Sequence, residues 1–285
     1  MSKTPDIAGH YTKGDLFDRL QAALRDDGVD PDKPSVTTLA PYDQFHGRGL
    51  EVTEEIAETL TVTSDDHLLD IGSGIGGPAR YMATRFGCRV TGIDLTEEFC
   101  AVARRLTALL GLEAQVDFHQ GNALAMPFAD AGFAGAYSMN VSMNIADKAA
   151  FYGEIHRVLK PGGWLMLSEI ALGPGGGPEG GPGGGPDYPT PWAATPASSF
   201  LVTPQQTEEG LKAAGFEGIR LRETREEAMA FGARSREMVE RGEKPPHRAV
   251  QLVHGAEAAT MAANTSRAFA AAAILPIEVH CRKPA

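Results

Sequence analysis

The composition of the chain is typical of a globular protein. It has 285 residues, 42% hydrophobic and 22% charged, which excludes a coiled coil, a fully disordered chain and a disulfide-dense mini-protein. The formal net charge of −11 and the lack of any Lys/Arg block argue against binding of nucleic acid through its phosphates.

Helices are predicted for the first part of the chain. Apolar residues recur at helical spacing over 12–27 and again over 49–60. The prolines between these segments are expected to break regular structure: Pro31, Pro34 and Pro41. We therefore expect residues 1–62 to form a helical cap segment ahead of the main domain.

Short apolar runs alternate with helical segments from residue 67 onward. The runs are HLLDIG, CRVTGID, VDFHQGN, GAYSMN and WLMLSEI, and helices are predicted between them at 78–86, 96–110 and 147–159. Such alternation indicates an α/β domain with a parallel sheet and crossover helices. Residues 63–170 are thus predicted to form its ligand-binding core.

A low-complexity tract follows this core. Residues 173–191 contain nine Gly and six Pro, a composition that buries little apolar area. We expect a Gly/Pro-rich mobile loop over 171–203.

Regular structure is predicted to resume after this loop. The pattern indicates a helix at 204–214, strands at 218–224 and 277–283, and two helices near 226–241 and 256–273. Residues 204–285 would complete the sheet, with 226–276 inserted as the second part of the cap. A single domain would thus cover 1–285.

The cysteines are scattered, and no long apolar segment is present. Cys88, Cys100 and Cys281 form no CxxC pair, which argues against a zinc site or a disulfide framework. No run reaches the roughly 18 apolar residues that span a bilayer, and the N-terminus lacks the apolar core of a signal peptide. We expect a cytoplasmic protein that uses no metal.

A glycine-rich turn follows the first apolar run. In the segment Asp70-Ile-Gly-Ser-Gly-Ile-Gly-Gly-Pro78 a buried strand leads into glycines and then into a helix, whose first N–H groups are free for a ligand. The dinucleotide fingerprint G-x-G-x-x-G is also satisfied, by Gly72, Gly74 and Gly77. The glycines alone therefore do not select a ligand.

Two acidic residues favour one type of ligand. Asp70 lies near the end of its strand, where a carboxylate would repel a pyrophosphate but suits an ammonium or sulfonium group. Asp94 ends the next run, where an acid can accept hydrogen bonds from two ribose hydroxyls. S-Adenosylmethionine has a cationic amino-acid end, a ribose and no phosphate, so this pattern favours it over NAD.

These motifs resemble those of class I S-adenosylmethionine-dependent methyltransferases. The likeness covers about residues 40–170 and continues more weakly to the C-terminus. Four parts of the chain match the cofactor motifs of that family: Asp70, Gly72, Ser73, Gly74 and Gly76 in the first motif, Asp94 with Leu95 at the ribose, Asn122 and Ala123 at the adenine, and Asn140 near the sulfonium. In the adenine motif, Asn122 stands where the family has an acid.

The resemblance implies a fold and a cofactor. The fold is a Rossmann-like, seven-stranded, mostly parallel sheet with helices on both faces and a small helical cap. The cofactor is S-adenosyl-L-methionine, and the product formed from it is S-adenosyl-L-homocysteine.

A narrower resemblance is to the sarcosine/dimethylglycine N-methyltransferase-like branch. It rests on Tyr42-Asp-Gln-Phe-His-Gly-Arg-Gly49, on 140–145 and on Trp192 followed by 199–203. In this interpretation, segment 42–49 caps the methionine end of the cofactor with aromatic faces toward the sulfonium.

The narrower resemblance also implies roles for individual residues. The catalytic candidates are Tyr42, His46 and Asn144. The candidates for substrate contact are Arg48, which can pair with a carboxylate, and Trp192. The alternatives are a hydrophobic plug on the sheet for the aromatic segment, a surface position for Arg48 and a packing role for Trp192.

Three functions remain open on the sequence. The first is N-methylation of a small amine such as sarcosine or dimethylglycine. The second is methylation of a carbon, oxygen or sulfur atom of a larger metabolite, which an apolar pocket would favour. The third is a non-catalytic S-adenosylmethionine-binding protein. We expect a small-molecule partner, neither nucleic acid nor a membrane, and leave a homodimer open.

Overall fold

A seven-stranded sheet forms the centre of the protein. The computed structural model describes residues 7–12, 14–175 and 185–285. The strands are β1 (His67–Ile71), β2 (Arg89–Asp94), β3 (Val116–Gln120), β4 (Phe133–Met139), β5 (Leu159–Leu172), β6 (Glu217–Glu223) and β7 (Ile274–Arg282). Their order is β3-β2-β1-β4-β5-β7-β6, with β7 antiparallel to both neighbours. This confirms the Rossmann-like, mostly parallel sheet.

Helices cover both faces of the sheet, which explains why β1 is apolar at successive positions. Leu68 packs with Val90 on one face, whereas Leu69 packs with Phe151 and Leu165 on the other. Successive side chains of a strand point to opposite faces, so a strand buried on both sides reads as a continuous apolar run.

The helices fall into two groups. Those that flank the sheet form where helices were predicted: α4 (Leu50–Thr59), α5 (Gly77–Phe86), α6 (Glu97–Leu109), α7 (Lys148–Val158) and α8 (Pro204–Ala213). Helix α4 was expected in the cap segment 1–62, but its Val52 and Ile56 pack in one cluster with Leu68 of the sheet. The others form the cap: α1 (Ile7–Tyr11), α2 (Leu16–Asp26), α3 (Val36–Asp43), α9 (Arg225–Glu240), α10 (Ala249–His254) and α11 (Ala258–Ala270). Helix α10 contacts α2 and α3, which joins the N-terminal segment to the insertion between β6 and β7.

Three helices of the cap differ from the prediction. Helix α3 forms although Pro41 was expected to break regular structure, because Ser35 and Thr38 make a capping box and Pro41 removes one hydrogen bond near the helix end. Helices α1 and α10 were not predicted, because segments of five and six residues are too short to display a helical period.

The Gly/Pro-rich tract is packed at both ends. The N–H groups of Gly173 and Gly175 donate to the carbonyl oxygens of Ala273 and Ala272 at 2.9 and 3.0 Å, and Trp192 is buried. The prediction of a mobile loop over 171–203 therefore does not hold for these ends, because backbone hydrogen bonds fix them where apolar side chains are few. The centre of the tract, 176–184, lies outside the described residues.

The described part of the chain gives three further findings. The three cysteines are buried free thiols: Cys88, Cys100 and Cys281. No helix there is both long and apolar enough to cross a bilayer. Nor do any three of its His, Cys, Asp or Glu side chains come together in a way that could hold a metal ion.

Candidate active site

The glycine turn joins β1 to α5 and lies against two other strands. The N–H groups of Gly72 and Ser73 donate to the carbonyl oxygen of Ile93 on β2 at 2.8 and 3.1 Å. Gly72 has a φ of 74°, and a Cβ atom added there would lie 2.1 Å from Cγ2 of Val141. Glycine is therefore required for this turn, which brings the free N–H groups of α5 to the sheet edge.

Asp70 lies beneath the turn as a buried carboxyl group. It is 2% exposed, and its Oδ2, like Ser73 Oγ, is buried without a hydrogen-bond partner among the described residues. Burial raises the pKa of Asp70 to about 8, and the charge of Asp94 adds to this effect. A buried carboxylate needs a partner, so the ammonium group of the expected cofactor fits this position.

Asp94 ends β2 and faces the same turn. Its Oδ2 accepts a hydrogen bond from Gly74 N at 2.9 Å, and its Oδ1 accepts one from Thr96 N at 2.8 Å. The carboxylate is half-buried, and each oxygen keeps a lone pair for a ribose hydroxyl. Leu95 beside it is 43% exposed, which leaves an apolar side chain open for contact with a purine base.

Asn122 follows β3, the strand next to β2 at this edge of the sheet. Its side chain is exposed, and its Oδ1 accepts a hydrogen bond from Leu124 N at 2.9 Å. Ala123 is half-buried against the core. A base whose ribose lies at Asp94 would meet the Asn122 amide, an uncharged group whose oxygen already has one partner.

Asn122→Asp is expected to tighten S-adenosylmethionine binding. A carboxylate accepts a hydrogen bond from the adenine amino group about 1 kcal/mol more favourably than an amide does, which is roughly fivefold in Kd. Calorimetric titration of the wild type, Asn122→Asp and Asn122→Ala measures the difference. Equal affinities for all three proteins would place the base away from Asn122.

A narrow pocket opens at the end of β4, beside the glycine turn. It encloses about 60 Å³, and its lining includes no Asp, Glu, Lys or Arg among the described residues. The polar and aromatic part of the lining comes from Tyr11, Phe45, Asn140, Trp192 and His254. Asn140 has a φ of 59°, which non-glycine residues adopt mainly where function requires it. We call this cavity the acceptor pocket.

Phe45 connects the acceptor pocket to the glycine turn. A Cβ atom added at Gly74 would lie 3.0 Å from Cδ2 of Phe45, and the Phe45 ring packs edge-on against Phe99 at a centroid distance of 5.1 Å. Segment 42–49 therefore does reach the cofactor turn, as predicted, but it does so through Phe45.

Asn144 links three parts of the pocket wall. Its Nδ2 donates to the carbonyl oxygens of Trp192 and Ser198 at 2.7 and 3.1 Å, and its Oδ1 accepts from the Tyr11 hydroxyl at 3.2 Å. Asn140 and Trp192 line the acceptor pocket, whereas Asn144 is not among the lining residues. Asn144 is thus placed behind the pocket, where it joins α1 to the segment after the tract.

Tyr42 does not reach the acceptor pocket. Its hydroxyl donates to Asp27 Oδ2 at 2.7 Å and accepts from Arg248 Nη2 at 3.0 Å. The Arg248 guanidinium also lies over the Tyr42 ring, 4.6 Å from its centroid. These contacts place Tyr42 between α2 and α10, so its position does not support the predicted catalytic role.

Arg48 also pairs with side chains outside the acceptor pocket. Its guanidinium makes a bidentate ion pair with Glu55 at 2.6 and 2.8 Å and a further hydrogen bond to Glu51 at 3.0 Å. Arg48 is 5% exposed and does not line the acceptor pocket. Its predicted pairing with a substrate carboxylate is not supported, because nearby glutamates already neutralise it.

His46 lies in a buried polar network. Its Nε2 contacts Gln44 Oε1 at 3.2 Å and Thr53 Oγ1 at 3.1 Å, and its Nδ1 contacts Gly47 O at 3.2 Å. Burial lowers the pKa of His46 to about 3, which makes the imidazole a poor proton acceptor. These contacts do not support the predicted catalytic role.

The buried neutral imidazole of His46 is expected to make the fold sensitive to acid. Its folded pKa of about 3 lies below the unfolded value of 6.5. Its contribution to the free energy of unfolding is therefore fully present above pH 6.5 and is lost as the pH falls toward 3. At pH 4.5 the loss is about 2.5 kcal/mol. Urea unfolding at pH 7 and pH 4.5 measures this, and His46→Gln should lose less stability than the wild type between the two. An equal loss in both proteins would contradict the assignment.

Two pocket residues had no sequence signal. Tyr11 lies in α1 and His254 in α10, helices of five and six residues. The Tyr11 ring lies 5.7 Å from that of Phe99 on α6, so α1 folds back over this end of the sheet. A contact between positions so far apart in the chain leaves no local pattern.

The geometry agrees with comparisons to known proteins. A family model described as a methyltransferase domain matches residues 69–167. A 24-methylenesterol C-methyltransferase 2 of Oryza sativa subsp. japonica is 40% identical over 41% of this chain and 33% of its own length. The chain spans between 29% and 58% of the length of the first curated relatives that it matches.

Two solved structures share the fold over nearly the whole chain. A phosphoethanolamine N-methyltransferase 2 of Haemonchus contortus, in complex with S-adenosyl-L-methionine, has a TM-score of 0.70 at 20% identity over 95% of this chain and 60% of its own. The [4+2]-cyclase SpnF has a TM-score of 0.68 at 24% identity over 93% of this chain and 94% of its own. Residues 69–167 thus match a methyltransferase domain, and the chain as a whole has the fold of these two solved structures.

Proposed function

We propose that this protein transfers a methyl group from S-adenosylmethionine to an uncharged small molecule held in the acceptor pocket. The observation that supports this proposal most directly is the position of the pocket. Phe45 lies against the glycine turn on one side and lines the pocket on the other. A ligand in the turn and a ligand in the pocket would therefore meet at Phe45.

The chain supplies binding and orientation. When bound, S-adenosylmethionine supplies an electrophilic methyl group. Asp70 would pair with its ammonium group, and Asp94 would hold its ribose. Aromatic and aliphatic side chains of the pocket would exclude water and align the acceptor atom with the methyl carbon at near-attack distance. The chain supplies no nucleophile of its own in such a transfer, since the methyl group would pass directly to the acceptor and the sulfur would leave as S-adenosylhomocysteine. A hydroxyl or thiol acceptor would also release a proton, which would pass to solvent at the pocket opening or to the His254 imidazole in the lining.

The lining of the pocket favours a neutral acceptor. A carboxylate or phosphate buried there would find neither Lys nor Arg in the lining among the described residues, where His254 is the basic side chain. A buried charge that lacks a charged partner is costly. Arg48, the candidate partner for the carboxylate of sarcosine or dimethylglycine, is held by Glu51 and Glu55. We therefore favour a carbon, oxygen, sulfur or uncharged nitrogen atom of an apolar metabolite over an amino-acid amine.

A methyl-transfer screen with labelled S-adenosylmethionine tests this proposal. The acceptors are neutral aromatic or terpenoid alcohols and phenols, compared with sarcosine, dimethylglycine and phosphoethanolamine at equal concentrations. We expect turnover with members of the neutral group and at least about tenfold lower kcat/KM with the charged group. Preferred methylation of dimethylglycine would contradict this proposal and support an amino-acid amine as the acceptor.

A second candidate is a protein that binds S-adenosylmethionine without transferring its methyl group. The observation that favours it is the likeness in fold to SpnF, a protein whose name states a [4+2]-cyclase activity and not methyl transfer. Formation of S-adenosylhomocysteine in the screen separates the candidates. Tight cofactor binding with no such product from any acceptor would support the second.

A further inference from the structure

The segment between β4 and α7 contacts both the glycine turn and the acceptor pocket. Val141 packs against Gly72, and both Asn140 and Met143 line the acceptor pocket. We call residues 140–145 the β4 turn. Only Ser142–Asn144 within it form a 3-10 helix, so most of its backbone polar groups need partners from elsewhere.

A buried acid provides the partners for its N–H groups. Glu169 on β5 is 2% exposed, and its Oε2 accepts hydrogen bonds from Val141 N at 3.2 Å and Ser142 N at 3.0 Å. Its Oε1 is buried without a hydrogen-bond partner among the described residues. Two charge-assisted hydrogen bonds thus hold the first half of the β4 turn to β5.

A lysine provides the partners for its carbonyl groups. Lys148, the first residue of α7, donates from Nζ to the carbonyl oxygens of Ser142 at 2.5 Å, Ile145 at 2.6 Å and Phe200 at 2.8 Å. An ammonium group has three N–H donors, so these contacts use all of them. Ser142 is held from both sides, and Phe200 ties the segment after the tract to the same ammonium group.

We propose that Glu169 and Lys148, both in their charged forms, are positioning residues that hold the β4 turn in the shape required for methyl transfer. The inference rests on the proposed function, because the turn affects catalysis only if the acceptor pocket holds the acceptor. Neither side chain lines that pocket, so each acts through the turn and not on the reacting atoms.

The two charges make the reaction depend on pH. Burial raises the pKa of Glu169 to about 7, while the hydrogen bonds from Ser142 and Val141 and the charge of Lys148 oppose this shift. Burial lowers the pKa of Lys148 to about 8, although the nearby charge of Glu169 acts to raise it. Tyr152 on α7 also faces Glu169, and its hydroxyl stays protonated because burial raises its own pKa.

The pH profile of turnover should therefore have an acid limb and an alkaline limb. It is expected to fall below about pH 7, as Glu169 gains a proton and its hydrogen bonds lose their charge. It is also expected to fall above about pH 8, because a neutral Lys148 amine has two N–H donors for three carbonyl oxygens.

Variants of both residues test these limbs with the acceptor found by the screen. Glu169→Gln keeps an oxygen acceptor but cannot ionise, so we expect its kcat at about pH 7.5 to lie at the level to which the wild type falls when Glu169 is protonated, with no acid limb of its own. Glu169→Leu and Lys148→Met should each lower kcat at least about tenfold, with a smaller change in the Kd for S-adenosylhomocysteine. A wild-type acid limb in Glu169→Gln would overturn the proposal.

Amide hydrogen exchange gives a readout that needs no acceptor. Followed by NMR at fixed pH with S-adenosylhomocysteine present, exchange of the Val141 and Ser142 N–H groups should be at least about tenfold faster in Glu169→Leu than in the wild type, and Glu169→Gln should lie between the two. Glu154→Leu is the matched control, because Glu154 accepts from Met126 N and Arg157, not from the β4 turn.

The possible outcomes separate the two proposals. Unchanged exchange in Glu169→Leu would overturn the positioning role whatever the reaction is. If Glu169→Leu does not fold, the pH profile of Glu169→Gln decides. A wild type that methylates no acceptor would contradict the proposed function alone, and exchange of the two amides would still decide how the turn is held.

Discussion

Asp94→Ala is expected to weaken S-adenosylmethionine binding about a hundredfold or more. The substitution removes the acceptor for both ribose hydroxyls, and hydrogen bonds to a charged group contribute about 1.5–3 kcal/mol each. It also removes the partners of Gly74 N and Thr96 N, which Asp94 holds at 2.9 and 2.8 Å. The glycine turn then loses one of its ties to β2.

Calorimetric titration with S-adenosylmethionine and S-adenosylhomocysteine measures the loss, with NAD as a ligand that should not bind either protein. Asp94→Asn is the matched control. It keeps one side-chain oxygen, so its affinity should lie between those of the wild type and Asp94→Ala. An unchanged affinity in a folded Asp94→Ala protein would remove this residue from the ribose site.

The sheet and the cofactor end of the site could be predicted because their signals are local. A buried strand must be apolar along its length, and position 72 must be glycine because a Cβ atom there would lie 2.1 Å from Cγ2 of Val141. Asp70 and Asp94 interrupt otherwise apolar runs at strand ends. In a parallel sheet those ends lie on one edge, so the sequence alone brings the two acids together.

The acceptor end could not be predicted, because it depends on partners distant in the chain. Segment 42–49 offers three candidates, Tyr42, His46 and Arg48, but the residue that packs against Gly74 of the glycine turn is Phe45. His46 turns toward Gln44 and Thr53, and Arg48 turns toward Glu55. No sequence period predicts these directions, because residues 44–49 lie between helices α3 and α4 and not within either.

Arg80→Met is expected to cause the largest loss of stability. Arg80 on α5 and Asp43 on α3 form an ion pair at 2.9 Å, with side chains 0% and 1% exposed. Removal of one partner from a buried pair leaves an uncompensated charge and costs about 3–5 kcal/mol. In a domain of this size, the melting temperature should fall by about 10 °C. Thermal unfolding of the apo protein measures this fall in melting temperature.

The pair also fixes the segment that carries Phe45. A Cβ atom added at Gly77 would lie 2.3 Å from the carbonyl oxygen of Asp43, so the end of α3 sits directly on the start of α5. Arg80→Met should therefore weaken cofactor binding as well, because Phe45 packs on the glycine turn two residues beyond Asp43. Calorimetric titration below the melting transition tests this second effect.

Two comparisons distinguish an unpaired charge from simple loss of packing. The double variant Asp43→Leu/Arg80→Met has no buried charge and should recover most of the lost stability, as replaced buried pairs often do. In the single variant, burial without Arg80 raises the pKa of Asp43 further above its unfolded value. Stability is then highest where the carboxyl is protonated and falls as the pH rises, so the deficit relative to the wild type should be smaller at pH 5 than at pH 8. A deficit that is independent of pH and persists in the double variant would mean that the arginine stem packs the helices and the charge pair contributes nothing.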